Sequence, residues 1–234
     1  MWTLTTSIYD DDVTIVNIDY PRPVTARSQP YHHGNLRPVL VDTAVELART
    51  TGPDGVVLRE VARRAGVSHN AAYRHFADRA ALLGEVSDRA MADLQQAMTT
   101  RIEAVTDDDP AARAAERLRE TGRAYVDFAI REPGLFAVAF TTSGGPEAHQ
   151  AEEARAAGPY AVLNAVLDEL VAAGALTPER RQGADVACWA AVHGYAELHV
   201  HGPLREVPAE MRDRVLEGVL DVVHRGLIGD AAAR

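Results

Sequence analysis

The sequence predicts an all-α protein, and three observations carry that prediction. Apolar residues recur at three- and four-residue spacing along most of the chain beyond residue 31. Glycine, proline and helix-capping residues fall between those periodic stretches rather than inside them. No segment alternates polar and apolar residues between hairpin turns, as a half-buried strand does.

The elements follow in order. Residues 1–30 hold four aspartates, three prolines and little periodicity, and are predicted to form a disordered tail, with at most a short strand over 13–18. Leu36, Val39, Leu40, Thr43, Ala44, Leu47 and Ala48 make one apolar face, which Thr50-Thr51-Gly52-Pro53 ends. A short helix is expected over 57–65, then a turn at Gly66-Val67, then Ser68 as the cap of a third helix. Asp78 caps a long helix over 79–104, and Asp107-Asp108-Asp109-Pro110 forms a loop. Further helices are expected over 111–131, 134–141, 147–173, 179–200 and 208–228, separated by Gly- and Pro-containing breaks. Met211, Val215, Val219, Val222 and Val223 give the last one a broad apolar face.

Composition narrows the function. The 234 residues suffice for one large domain or two small ones. With 24 basic and 34 acidic residues the net charge is −10, which excludes a chain-wide polyanion-binding surface. Every basic residue is arginine. A single cysteine, Cys188, excludes an internal disulfide framework and a cysteine-cluster metal site. No run of about 18 apolar residues spans a membrane, and the first residues lack the basic and apolar regions of a secretory signal. A cytoplasmic location is the expectation.

The stretch Leu58–Phe76, LREVARRAGVSHNAAYRHF, carries the function. Two short helices joined by a tight glycine turn form the helix-turn-helix that places a recognition helix in the DNA major groove. Ala62 is small where the helices cross, and Gly66 can take the positive φ of the turn. Val61, Ala65, Val67 and Ala72 are apolar where the pair packs on the first helix. Ser68, His69, Asn70, Tyr73 and Arg74 are left outward, with groups able to reach base edges and phosphates.

Residues 31–83 resemble the DNA-binding domain of TetR-family transcriptional regulators, through LREVARRAGVS, the Tyr73-x-His75-Phe76 triplet and Leu82-Leu83. The resemblance implies a three-helix DNA-binding domain over 31–84, a larger helical ligand-binding and dimerisation domain over 85–234, and a homodimer on an operator in double-stranded DNA. It also implies phosphate contacts from Tyr73, His75 and Arg79. Asn70 stands where many members have glycine, and Ala80 replaces the usual acidic residue. Asparagine there can pair bidentately with adenine. Trp189-x-x-x-His193-Gly194, with Tyr125, Phe128 and Pro133-Gly134-Leu135-Phe136 upstream, is similar to one type of C-terminal domain in that family.

Charge divides along the same line. Residues 31–84 hold seven arginines against five acids, the one net positive segment, whereas 85–234 hold 15 arginines against 25 acids. His33, with His32, is a candidate phosphate-touching arm, and Arg37 completes the candidate DNA contacts. Tyr125, Phe128, Phe136, Phe140, Trp189 and His193 are the candidate pocket for a small hydrophobic or aromatic effector. Gly194 is expected to permit a close helix approach.

His193, Glu197 and His201 share one helix face at i, i+4 and i+8, a spacing that can hold a metal, but Gly202-Pro203 ends that helix and no ligand from another helix is evident. Neither metal nor cofactor is expected. Catalysis is not expected either: there is no Gly-rich phosphate loop and no Gly-x-Ser-x-Gly, and Cys188 lies among apolar residues. The alternative reading is a helical small-molecule or metal sensor with weak or no DNA binding.

Overall fold

In the computed structural model, residues 36–141 and 157–229 are described, and among them there are ten helices and no strand. They are α1 (Leu36–Gly55), α2 (Leu58–Arg64), α3 (His69–Tyr73), α4 (Arg79–Glu103), α5 (Pro110–Arg131), α6 (Pro133–Thr141), α7 (Gly158–Ala172), α8 (Pro178–Arg181), α9 (Ala184–Val200) and α10 (Ala209–Ile228). The tail over 1–30, His32, His33 and the start of the expected helix 147–173 lie outside the described residues. No described helix is long and apolar enough to cross a membrane.

The expected helix starts follow their capping chemistry. Ser68 Oγ accepts the Ala71 N–H at 3.2 Å, and Asp78 Oδ1 accepts the Ala81 N–H at 2.8 Å. The Asp109 carboxylate takes the amides of Ala111 and Ala112, with Pro110 at the first helical position, where its missing N–H costs nothing. α1 breaks at Gly52, within the segment read as its end.

One boundary differs from expectation. The segment read as a single helix over 179–200 is two helices, because Gly183 adopts φ 75° and swings the chain between α8 and α9. The residues before it, Glu179 to Gln182, are polar, and the first apolar face begins only at Ala184.

One continuous core joins Leu40, Leu47 and Ala48 of α1 to Val86 and Leu94 of α4, Phe128 of α5, Phe136 of α6 and Leu220 of α10. A second, smaller core gathers Leu118, Leu163, Leu167, Leu170 and Cys188 beneath α7 and α9. Two close approaches set the geometry. At Gly134 an added Cβ would lie 1.9 Å from the Ala48 carbonyl oxygen, so the start of α6 rests directly on the α1 backbone. At Gly122 of α5 it would lie 2.6 Å from Leu220 Cδ2 of α10.

Gly194 does not act this way. A Cβ there meets nothing within 4 Å, so the close approach expected of it does not occur within the chain. It lies on the exposed side of α9, away from the core the helix helps to build.

α10 is clamped to α5 by charge. Arg123 forks onto Glu217 through two 2.7 Å bonds and also reaches Glu116 and Glu120, while Arg119 binds Asp221. The Arg123 guanidinium holds the Glu217 carboxyl below the usual carboxylate range. Half-exposed pairs of this kind contribute little each, on the order of 0–1 kcal/mol, and fix register more than stability.

Candidate nucleic-acid interface and effector cavity

The helix-turn-helix forms as its residue types require. Val61, Ala62 and Ala72 are buried where α2 and α3 meet the core, and Gly66 turns the chain at φ 69°. The Val67 N–H donates to the Ala62 carbonyl, closing the turn. α3 therefore stands on the surface with Ser68, His69, Asn70, Tyr73 and Arg74 exposed together. The Ser68 oxygen accepts one bond as the cap and keeps its O–H as a donor. The rings of His69 and Tyr73, one turn apart, lie 4.5 Å centre to centre, so the imidazole braces the exposed phenol.

The arginines of this region divide into two groups. Arg63 and Arg64 bond Glu60 of their own helix and hold its carboxyl down to about 2, so that acid stays ionised and offsets one of them. Arg59 and Arg74 make no ion pair among the described residues, which leaves their guanidinium groups available to phosphate.

Arg37 and Arg79 have structural engagements that the sequence did not reveal. Arg37 donates to the His75 carbonyl at 2.7 Å, pairs with Glu85 at 2.7 Å and lies 4.6 Å over the Phe76 ring. It ties α1 to the end of the recognition helix and to α4. Arg79 donates to the Val56 and Pro53 carbonyls, locking the loop before α2 to the start of α4. The signal in both cases is tertiary: the acceptors are backbone carbonyls far away in sequence.

In the C-terminal half, α4, α5, α6, α7, α9 and α10 enclose a cavity of about 370 Å³, within the range of small-molecule sites. Of the residues proposed for an effector pocket, Tyr125, Phe140 and Trp189 line this cavity. Phe128, Phe136 and His193 do not line it: the two phenylalanines are core residues, and His193 stands behind Tyr125. Sequence reasoning missed Met91 and Met98 of α4, Tyr160 of α7 and Leu220 and His224 of α10, which the topology brings in from separate helices.

The Trp-x-x-x-His spacing has a direct structural meaning. Trp189 Nε1 donates to the Tyr125 hydroxyl at 3.3 Å, and that hydroxyl lies 2.8 Å from His193 Nδ1. An indole can only donate, so the tyrosine oxygen accepts from Trp189, while the imidazole tautomer sets which way the Tyr125–His193 bond runs. Two residues one turn apart on α9 thus grip one phenol on α5. Burial pushes the Tyr125 hydroxyl well above its ordinary pKa, keeping it protonated for that role.

The other reactive groups are quiet. Burial raises the Cys188 thiol to about 12, with Asp185 adding to the shift, so the thiolate needed for nucleophilic chemistry is scarce at neutral pH. Glu197 and His201 pair with one another at 2.8 Å while His193 faces Tyr125, so the three do not converge. Among the described residues no group of three metal-binding side chains forms.

A surface helix-turn-helix joined to a helical body that encloses an apolar cavity defines a DNA-binding regulator with a sensing domain. Two family descriptions match: bacterial regulatory proteins of the tetR family over residues 40–86, and the tetracyclin repressor-like C-terminal domain over residues 118–223. The chain belongs to the TetR family of transcriptional regulators, and is a regulator rather than an enzyme.

Among solved structures it is similar to a protein with unknown function from Rhodococcus sp. RHA1, at 32% identity and TM-score 0.68, covering 86% of this chain and 99% of that one. It is similar in fold to the regulator PfmR from Thermus thermophilus, at 22% identity and TM-score 0.54, covering 80% and 95%. The fatty acid degradation regulator FadR from Bacillus halodurans shares the fold at 18% identity and TM-score 0.58, covering 86% and 98%. No curated protein matches the sequence.

Proposed function

We propose that this protein is a homodimeric repressor that binds a pseudo-palindromic operator and is released by a small hydrophobic or aromatic effector. The observation that carries the reading is the junction between head and cavity. α4 begins beside the recognition helix and lines the cavity further along, through Met91 and Met98. α6 rests on α1 at Gly134 and reaches the cavity at Phe140, about 9 Å further at 1.5 Å per residue. An occupant that displaces either helix moves the DNA-reading surface. Its effect is bounded by its preference for the released conformation.

The functional division into a DNA-reading head over 31–84 and an effector and dimer body over 85–234 follows the charge, with a basic head on an acidic body. Such a body repels DNA and confines contact to the recognition face. Ser68, His69 and Asn70 are assigned to base edges and Tyr73, Arg74 and His75 to phosphates, with Arg79 adding only the N–H groups it does not give to the Pro53 and Val56 carbonyls; Arg37 supports His75 from behind. His33, proposed from the sequence as a phosphate-touching arm, lies outside the described residues.

The dimer is assigned to α9 and α10. Val186, Ala190, Gly194 and Leu198 form an exposed, uncharged row at four-residue spacing on α9. Met211, Val215, Gly218 and Val222 form another on α10. Four such helices, two from each copy, bury both rows, and Gly194 then allows close approach between subunits. Two recognition helices are thereby held for major grooves one helical turn, ~34–36 Å, apart.

The test is retardation of DNA flanking the protein's own gene in a gel shift, with a footprint of two half-sites. Failure of a folded dimer to retard any of that DNA overturns the reading. On the footprinted site, Arg74→Ala weakens binding to all sequences equally and lowers the salt slope by about one. Asn70→Ala instead relaxes preference at one position of each half-site, by about 1–3 kcal/mol for a bidentate contact. Interchanged effects would show that the roles are wrongly assigned.

A further inference from the structure

We propose that the cavity selects lipophilic cations, a single positive charge on an aromatic or branched apolar body, with the Asp88 carboxylate as counter-ion. This rests on the cavity being the effector site. The walls are largely hydrocarbon and aromatic ring: Phe140 and Tyr160 flank Trp189 with centroids 6.4 and 6.1 Å away. Faces of this kind attract a cation as well as an apolar group.

The hydroxyl and charged side chains of the lining have other duties, with one exception. The Tyr125 hydroxyl is held between Trp189 and His193, the Tyr160 hydroxyl donates to Asp185, and the Thr121 hydroxyl donates to the Arg117 carbonyl. The Arg119 guanidinium binds Asp221 and lies 3.9 Å from Glu217. Burial and the nearby Arg119 depress the His224 pKa, so this imidazole is neutral at pH 7. Asp88 is the exception. It is an exposed carboxylate on α4, one turn from Met91, and has no ion pair or side-chain hydrogen bond among the described residues.

The lining charge without a counter-ion is therefore negative. An anionic ligand would meet Asp88 directly and would reach Arg119 only by displacing Asp221. A neutral ligand leaves Asp88 unpaired. A cation complements both the carboxylate and the rings.

The experiment uses the full chain with Trp2→Phe, so that tryptophan emission reports Trp189 alone. Three probes of equal length are titrated at low salt: 4-phenylbutyl-trimethylammonium, its neutral tert-butyl isostere, and the corresponding carboxylate. The cation is expected to bind about threefold to tenfold tighter than the isostere, as suits a solvent-exposed charge pair with ring contacts. The carboxylate is expected to bind weakest. Asp88→Asn equalises the cation and the isostere and leaves the affinity of the isostere unchanged.

Equal binding of cation and isostere to the parent protein, or a cation preference that survives Asp88→Asn, overturns the proposal while leaving the cavity as the effector site. Absence of any response from protein that is folded by circular dichroism overturns the effector-site reading, and the cation proposal with it.

Discussion

Val222→Asp converts the protein to a monomer that no longer retards operator DNA. In the single chain Val222 is 66% exposed, so the substitution disturbs no internal packing and the subunit unfolds as before, within about 0.5 kcal/mol. In the proposed four-helix interface each copy places an unpaired carboxylate between apolar helices. Such a charge costs about 3–5 kcal/mol when buried without a partner, and a symmetric dimer carries it twice. Losing the second recognition helix removes an intramolecular binding event, which lowers operator affinity by roughly 10²–10⁴. Sedimentation and gel shift on the same sample check both halves. A dimer that persists places the interface elsewhere, and a monomer with undiminished operator binding removes the need for two heads.

Gly134→Ala, a single methyl group, destabilises the fold by about 1–3 kcal/mol, the usual range for overpacking. The new Cβ would lie 1.9 Å from the Ala48 carbonyl oxygen and 2.9 Å from its carbon, and backbone cannot swing aside as a side chain does. α6 must lift from α1. For a chain of this length the midpoint of thermal unfolding falls by about 2–4 °C per kcal/mol. Because Phe140 lies at the other end of the same helix, lifting the helix also displaces part of the cavity wall. Gly84→Ala is the control: it sits in α4 with nothing within 4 Å of an added Cβ, and helix propensity predicts a gain of about 1 kcal/mol. Equal thermal midpoints for the two variants would show that the α1–α6 contact is not tight.

Local chemistry was legible in the sequence wherever it acts between neighbours. The caps at Ser68 and Asp78, the turn at Gly66 and the exposed row on α3 all depend on residues within one or two turns of each other. The cavity was half legible. Aromatic side chains signal burial but not whether they face a void or a core, so Tyr125 and Trp189 line it while Phe136 is fully buried beside it. Gly194 illustrates the same gap. A small residue in a helix marks a close approach without saying to what, and within the chain the close approaches fall at Gly122 and Gly134 instead.

Sequence alone determined the helical class, the reading helix and the sign of the charge around it, because periodicity, capping and composition are properties of short stretches. Tertiary structure decided which aromatics enclose space, which arginines hold backbone carbonyls and which remain open to phosphate. Those outcomes depend on distances between segments tens of residues apart, such as Arg37 and His75 or Tyr125 and His193, and the packing of whole helices sets them.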